Sequence, residues 1–160
     1  MPTYTIRTAT EADTEALVAI AVAEWQAIYD GYAEQLGGEL FALAYPDPRA
    51  AKAGQIRHNV ASGNCFVTEC DGRIAGFIHY TYDPAGRIGT IGNNAVSGEF
   101  RGHGIGPRQY QHIFDLLKEM GAVAVRVTTG LDAAHAPARR AYEKAGFSAN
   151  TQSITYYKKL

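Results

Sequence analysis

The chain has no run approaching the ~18 consecutive apolar residues that a membrane-spanning helix requires. Its first residues, Met1-Pro2-Thr3-Tyr4-Thr5-Ile6-Arg7, lack the apolar core of a signal peptide. Cysteine is scarce, with Cys65 and Cys70 alone, too few for a disulfide framework. They stand five apart in a strand-like run, so they point to opposite faces and read as reduced thiols of a cytoplasmic protein. No sign of charge dominates either: 15 Lys and Arg against 16 Asp and Glu give −1 at pH 7. That balance supplies no global basic field for a nucleic-acid backbone. Membrane and nucleic acid are therefore not expected partners.

What is present is ordinary for a folded domain. Hydrophobic residues make up 46% and charged residues 19% of 160, and domains usually run ~100–200 residues. With no linker, repeat or low-complexity tract, residues 1–160 read as one domain. The charge is unevenly spread. Residues 1–80 hold five basic and ten acidic side chains, giving −5; residues 81–160 hold ten and six, giving +4. A basic C-terminal half suggests a local anion site there.

The periodicities predict mixed α and β structure. Tyr4 to Thr8 reads as a strand. Thr10-Glu11-Ala12-Asp13 is a capping-box pattern ahead of a helix carrying Leu17, Ile20, Ala21, Glu24 and Ile28, which Gly31 breaks or bends. Residues 35–43 and 49–60 read as shorter helices. Residues 64–70, 73–82 and 87–97 form an antiparallel meander whose first turn, Asp71-Gly72, carries the type I′ signal. Gly89 and Gly92 weaken its third strand. A helix with the stripe Ile113, Leu116, Leu117 and Met120 follows, closed by Gly121. Val123, Val125 and Val127 alternate in a strand; a helix spans 132–145, with Pro137 in its first turn and Gly146 as its stop. Phe147 and residues 153–159 supply one or two last strands.

Chemistry concentrates in Arg101-Gly102-His103-Gly104-Ile105-Gly106, between a strand and a helix. Glycines allow tight backbone with nothing in a ligand's way, and a helix start offers free N–H groups and a positive dipole end. The combination suits phosphate, with Arg101 and Arg108 adding charge. No Gly-Lys-Ser/Thr follows, so this is not a P-loop. It follows a meander rather than the first strand of a βαβ unit, and no acid ends a strand ~20 residues on, so a dinucleotide fold fits poorly. His58, His103 and His112 have no metal-ligand spacing, and no metal is expected.

The stretch Val96 to Gly106 resembles the acetyl-CoA-binding motif of the GNAT superfamily of N-acetyltransferases. The core pattern Arg/Gln-x-x-Gly-x-Gly/Ala is met by Arg101, Gly104 and Gly106, with the usual Val at position 96. Ala138-Arg139-Arg140-Ala141-Tyr142-Glu143-Lys144-Ala145-Gly146-Phe147 resembles the family's later helix. The resemblance implies a mixed α/β, GNAT-like fold. Its central, mostly antiparallel sheet would have six to seven strands, splayed between the two central parallel strands and flanked by about four helices.

The same resemblance implies that Gly102, His103, Gly104, Ile105 and Gly106 receive the CoA pyrophosphate beside Arg101. Ala95, Val96 and Ser97 would pair with the pantetheine arm, and Tyr142 would protonate the departing thiolate. Where the family often has Asn, this chain has His135, placed either on the pantetheine arm or at the surface. Pro107 lacks an N–H and removes one phosphate donor. The strand before the loop carries none of the carboxylates that often assist amine deprotonation in the family. Glu24, His79, or a water held by Asn93 or Asn94 are the alternatives. Trp25, Tyr29 and Tyr32 either shape the acceptor pocket, as the resemblance implies, or pack in the core.

The expected activity is acetyl transfer from acetyl-CoA to an amine by direct attack in a ternary complex. The amine belongs to a small molecule or a peptide or protein, and the enzyme would be a monomer or homodimer. A non-catalytic acyl-CoA-binding module on the same fold and a nucleotide-dependent oxidoreductase are the alternatives.

Overall fold

A computed structural model describes residues 3–160. Strand β1 (Tyr4–Thr8) leads through a 3-10 turn into three helices, α1 (Thr14–Leu36), α2 (Gly38–Ala44) and α3 (Pro48–Ala61). Strands β2 (Cys65–Cys70), β3 (Arg73–Asp83) and β4 (Ile88–Val96) follow, then helix α4 (Ile105–Glu119), strand β5 (Ala124–Val127) and helix α5 (Ala136–Lys144). The five strands lie in sequence order; β1 to β4 are antiparallel neighbours and β5 runs parallel to β4.

Local chemistry accounts for these boundaries. The Asp13 carboxylate accepts from the Thr10 N–H (2.7 Å) and hydroxyl (2.9 Å), which fixes the entry to α1. Asp71 and Gly72 both have positive φ (49° and 77°), as a type I′ hairpin requires. Gly31 does not break α1. Glycine costs only ~1 kcal/mol inside a helix, and α1 is anchored on one side by Leu17 and Ala21, both fully buried.

The sheet separates two cores. Leu17, Ala21, Ile56, Val60, Cys65, Val67 and Phe77 pack α1 and α3 on one face. Ile78, Tyr80, Ile91, Tyr110, Ile113, Leu117 and Tyr142 pack α4 and α5 on the other. Fully burying a side chain such as Leu17, Phe77 or Ile113 stabilises by ~1.5–3 kcal/mol. Cys65 joins the first core and Cys70 a small cluster with Ala75 and Ile105 at the start of α4, so the two thiols do face opposite ways.

Among the described residues the sheet has five strands rather than six to seven. No strand follows α5 among the described residues. Phe147 is used to close α5: its N–H bonds the Tyr142 carbonyl (3.1 Å) beside Gly146 at φ 101°, and its ring packs on Phe114. Residues 148–153 are exposed and polar apart from Ala149, and Ile154 and Tyr156 stay 74% and 85% exposed, so a strand there would bury neither face. The chain end reaches α2 instead, where Lys159 pairs with Glu39 (2.5 Å). Consequently β5 is an edge strand, and the parallel pair β4–β5 lies at the side of the sheet rather than its centre. Among the described residues α1 and α2 divide at Gly37, which gives five helical segments where about four were expected, in keeping with that expectation. No helix is long and apolar enough to cross a membrane among the described residues.

Candidate active site

Strands β4 and β5 pair only from Ile88 to Ile91 against Ala124 to Val127. Beyond that, β4 continues alone through Gly92 to Val96, and its outer edge lines a cleft of about 1250 Å3. Here the parallel strands part, as the resemblance implied, although at the sheet's edge.

A bulge shapes this part of β4. Ile78 opposes Asn94 and Tyr80 opposes Ile91, so Gly92 and Asn93 together face His79. A Cβ on Gly92 would collide with His79 Nδ1, so the close approach requires glycine. Asn93 and Asn94 alternate to opposite sides, and the bulge sets which side each one takes. Asn93 turns to α3, where its Oδ1 accepts from Lys52 Nζ (3.0 Å) and its Nδ2 donates to Asn59 Oδ1 (2.8 Å). Asn94 turns to α4 and α5. Its Nδ2 donates to the Tyr142 hydroxyl oxygen (3.1 Å), and its Oδ1 accepts from the Tyr110 hydroxyl (3.2 Å). Burial raises both tyrosines above the ordinary value of 10.0, and the hydrogen bond from Asn94 partly offsets this at Tyr142.

The glycine loop lies at one end of the cleft. Gly102 and Gly104 have φ of 81° and 75°, and a Cβ on either, or on Gly106, would meet nothing within 4 Å. The first helical bond of α4 runs from Arg108 N–H to the Gly104 carbonyl (3.3 Å), which leaves the Ile105 and Gly106 amides without helical acceptors. This open loop with free amides at a helix start fits a phosphate group. The Ile105 side chain points the other way, into the core.

The structure brings Ala95, Val96, Arg101, Gly102, Gly104, Ile105, Gly106, His135 and Tyr142 to the cleft wall. Ser97 and His103 stand outside that wall. The Ser97 N–H bonds the Ala75 carbonyl (2.9 Å), and His103 Nδ1 lies 3.0 Å from the Arg101 carbonyl, bracing the loop from within. His135 is held by Asp132, which lies 2.6 Å from its Nδ1. The flanking cations differ from expectation: Arg108 lies over the Tyr4 ring, and Arg101 pairs with Glu24 of α1. Arg140 and Lys144 of α5 line the cleft with Arg101.

The candidate bases are placed as follows. Glu24 lines the cleft but is engaged twice, by Arg101 and by the Gly98 N–H (3.1 Å). His79 is buried behind Gly92; burial and the facing His58 lower its pKa, so it is neutral at pH 7. Asn93 and Asn94 both line the cleft, as does Trp25, whereas Tyr29 packs edge-on and Tyr32 stacks against Tyr45 outside it. Sequence reading missed Tyr110 and Lys52. Tyr110 shares a helix face with Ile113 and Leu117, and Lys52 shares one with Ile56 and Asn59, so spacing alone marked both as inward-facing.

A family model described as Acetyltransferase (GNAT) family matches residues 25–147. The chain belongs to the GNAT acetyltransferase family. Searching curated protein sequences finds no match. Among solved structures, similarity extends to AAC(6')-Iy in complex with a bisubstrate analogue, CoA-S-monomethyl-acetylneamine, at TM-score 0.68 and 14% identity, covering 99% of each chain. The PaiA N-acetyltransferase from Thermoplasma acidophilum in complex with coenzyme A matches at TM-score 0.70 and 18% identity, over 94% of this chain and 93% of the other. The aminoglycoside acetyltransferase meta-AAC0020 from an uncultured soil metagenomic sample, in complex with sisomicin, matches at 0.61 and 16%, over 98% and 96%. At these identities the likeness establishes the GNAT fold.

Proposed function

We propose that the chain is an N-acetyltransferase that moves the acetyl group of acetyl-CoA directly to an amine in a ternary complex. The observation that carries this reading is a single cleft with an open glycine loop at one end and Tyr142, oriented by Asn94, on its wall. CoA-bound neighbours of the same fold support it.

The loop amides at Ile105 and Gly106 would hold the pyrophosphate, with Arg140 and Lys144 adding charge. The unpaired edge of β4 offers backbone N–H and C=O groups to an extended arm. When bound, acetyl-CoA supplies a thioester carbon for attack and a sulfur that leaves as thiolate. The Tyr142 oxygen already accepts from Asn94, so its own proton is free to be donated. Thiols titrate at ~8.5, below tyrosine at ~10, so a hydrogen bond that strengthens as the thiolate forms is as useful as full transfer.

With Glu24 engaged by Arg101 and His79 behind the strand, amine deprotonation falls to water in the open cleft. For an amine of pKa ~10.4 this costs roughly 4–5 kcal/mol at pH 7. Turnover per unit of acceptor therefore rises about tenfold per pH unit below the amine's own pKa.

The test is CoA thiol release from acetyl-CoA across a panel of amines, with thermal shifts by CoA and NAD measured in parallel. Amine-dependent thiol release supports the reading. CoA binding without release with any amine would leave a non-catalytic binding module, and stabilisation by NAD alone would overturn both.

A further inference from the structure

Lys52 is 5% exposed, yet no carboxylate touches it. Its ammonium donates to Gln55 Oε1 (2.8 Å) and Asn93 Oδ1 (3.0 Å) and sits 4.1 Å from the centroid of the Trp25 ring. Lysine is almost never this buried without an acid partner, because an uncompensated charge in the interior is costly. Two neutral amide oxygens and a ring face solvate the charge without cancelling it. Trp25 and Asn93 both belong to the cleft wall, so the uncompensated charge lies one side chain behind it.

The rest of the wall has the same bias. Its only acid among the described residues is Glu24, which Arg101 neutralises, while Arg140 and Lys144 are cationic. A polycationic acceptor would find no free carboxylate here. Arg140 and Lys144 lie on α5 and suit the phosphates of the donor, whereas Lys52 is a buried cation on the α3 side of β4, behind Trp25 and Asn93.

We propose that Lys52 is a specificity determinant that attracts the anionic group of the acceptor from behind Trp25 and Asn93, and that the acceptor is an amine bearing a carboxylate, of the amino-acid class. This rests on the acetyl-transfer reading and narrows its substrate. The acceptor's carboxylate supplies the counter-ion that the fold leaves out, on the Trp25–Asn93 side of the cleft. The depressed pKa of Lys52, about 8 through burial alone, accords with a site that lacks its anion.

The experiment compares free amino acids with their primary amides and with the corresponding decarboxylated amines, using acetyl-CoA-dependent thiol release. Free acids should exceed their amides by at least about 10-fold in kcat/KM, since the amide loses the attraction between its carboxylate and the half-shielded ammonium. In Lys52→Gln that preference should collapse toward unity, through a raised KM for the free acids. The wild-type comparison stands even if the variant folds poorly. Amides or polyamines accepted as well as the acids, or a preference that survives Lys52→Gln, would overturn the inference while leaving acetyl transfer intact. Transfer to no amine at all would overturn both.

Discussion

Asn94 donates to the hydroxyl oxygen of Tyr142 across 3.1 Å, from a β4 residue that directly follows the bulge at Gly92 and Asn93. One amide thereby orients the proposed acid and leaves its proton available, and Tyr110 fixes the amide in turn.

Tyr142→Phe should lower kcat by ~100- to 10,000-fold, the usual worth of general acid catalysis. Acetyl-CoA affinity should barely move, because charge on sulfur appears only as the C–S bond breaks. Phe keeps the ring contacts with Tyr110 and Phe147. Steady-state kinetics with a direct CoA titration checks this; unchanged turnover with chemistry rate-limiting would make Tyr142 a packing residue. Its raised pKa keeps it protonated past pH 10, so no alkaline fall in rate should come from it below that.

Gly104→Val should abolish CoA binding. At φ 75° a branched residue is strained by about 1–2 kcal/mol, and its side chain would fill the open cradle. Calorimetric titration alongside a melting curve separates lost binding from lost fold.

Much of this site was legible because its signals are local. Glycines at 102, 104 and 106, a helix start, and the Tyr142 block lie within short windows, and Asp71-Gly72 specifies its hairpin alone. What escaped depends on distant partners. Gly92 looked like a weak strand residue; it is the point where β4 passes His79 and gains a residue on β3. Gly89 likewise makes room for Leu117. Glu24 could be read as a base because nothing nearby in sequence announces Arg101, 77 residues away. The strand expected at 153–159 requires a covered face, and the fold supplies none there.

Lys52 should make stability pH-dependent. Its folded value of about 8 lies below the ordinary 10.5. Between those values the unfolded chain holds the proton and the folded chain does not, so stability rises as pH climbs through 8 and levels off above 10.5. The full span corresponds to about 3 kcal/mol. Urea unfolding of wild type and Lys52→Met from pH 7 to 10.5 should show this rise in the wild type and its loss in the variant; parallel curves would contradict it.

Asp13 should give a pH dependence of the same sign, in the acid range. Arg7 bridges it (2.8 Å) and Glu69 (2.6 Å), joining β1, β2 and the start of α1, and holds Asp13 well below the usual carboxylate range. Its stabilisation is present above about pH 4 and is lost as pH falls further. Because Arg7 is 39% exposed, water screens the pair. Asp13→Asn should therefore cost about 1–2 kcal/mol at pH 7 and less in acid, as urea midpoints would report.

The most direct test of the cleft as the acyl-CoA site is a titration of CoA into isotopically labelled protein, followed by backbone amide NMR. The largest shifts should fall on Gly102, Gly104, Ile105 and Gly106 and on the β4 edge from Gly92 to Val96, with the α3 amides from Gln55 to Ala61 little moved. Saturable shifts centred elsewhere, with the loop amides unmoved, would contradict the account.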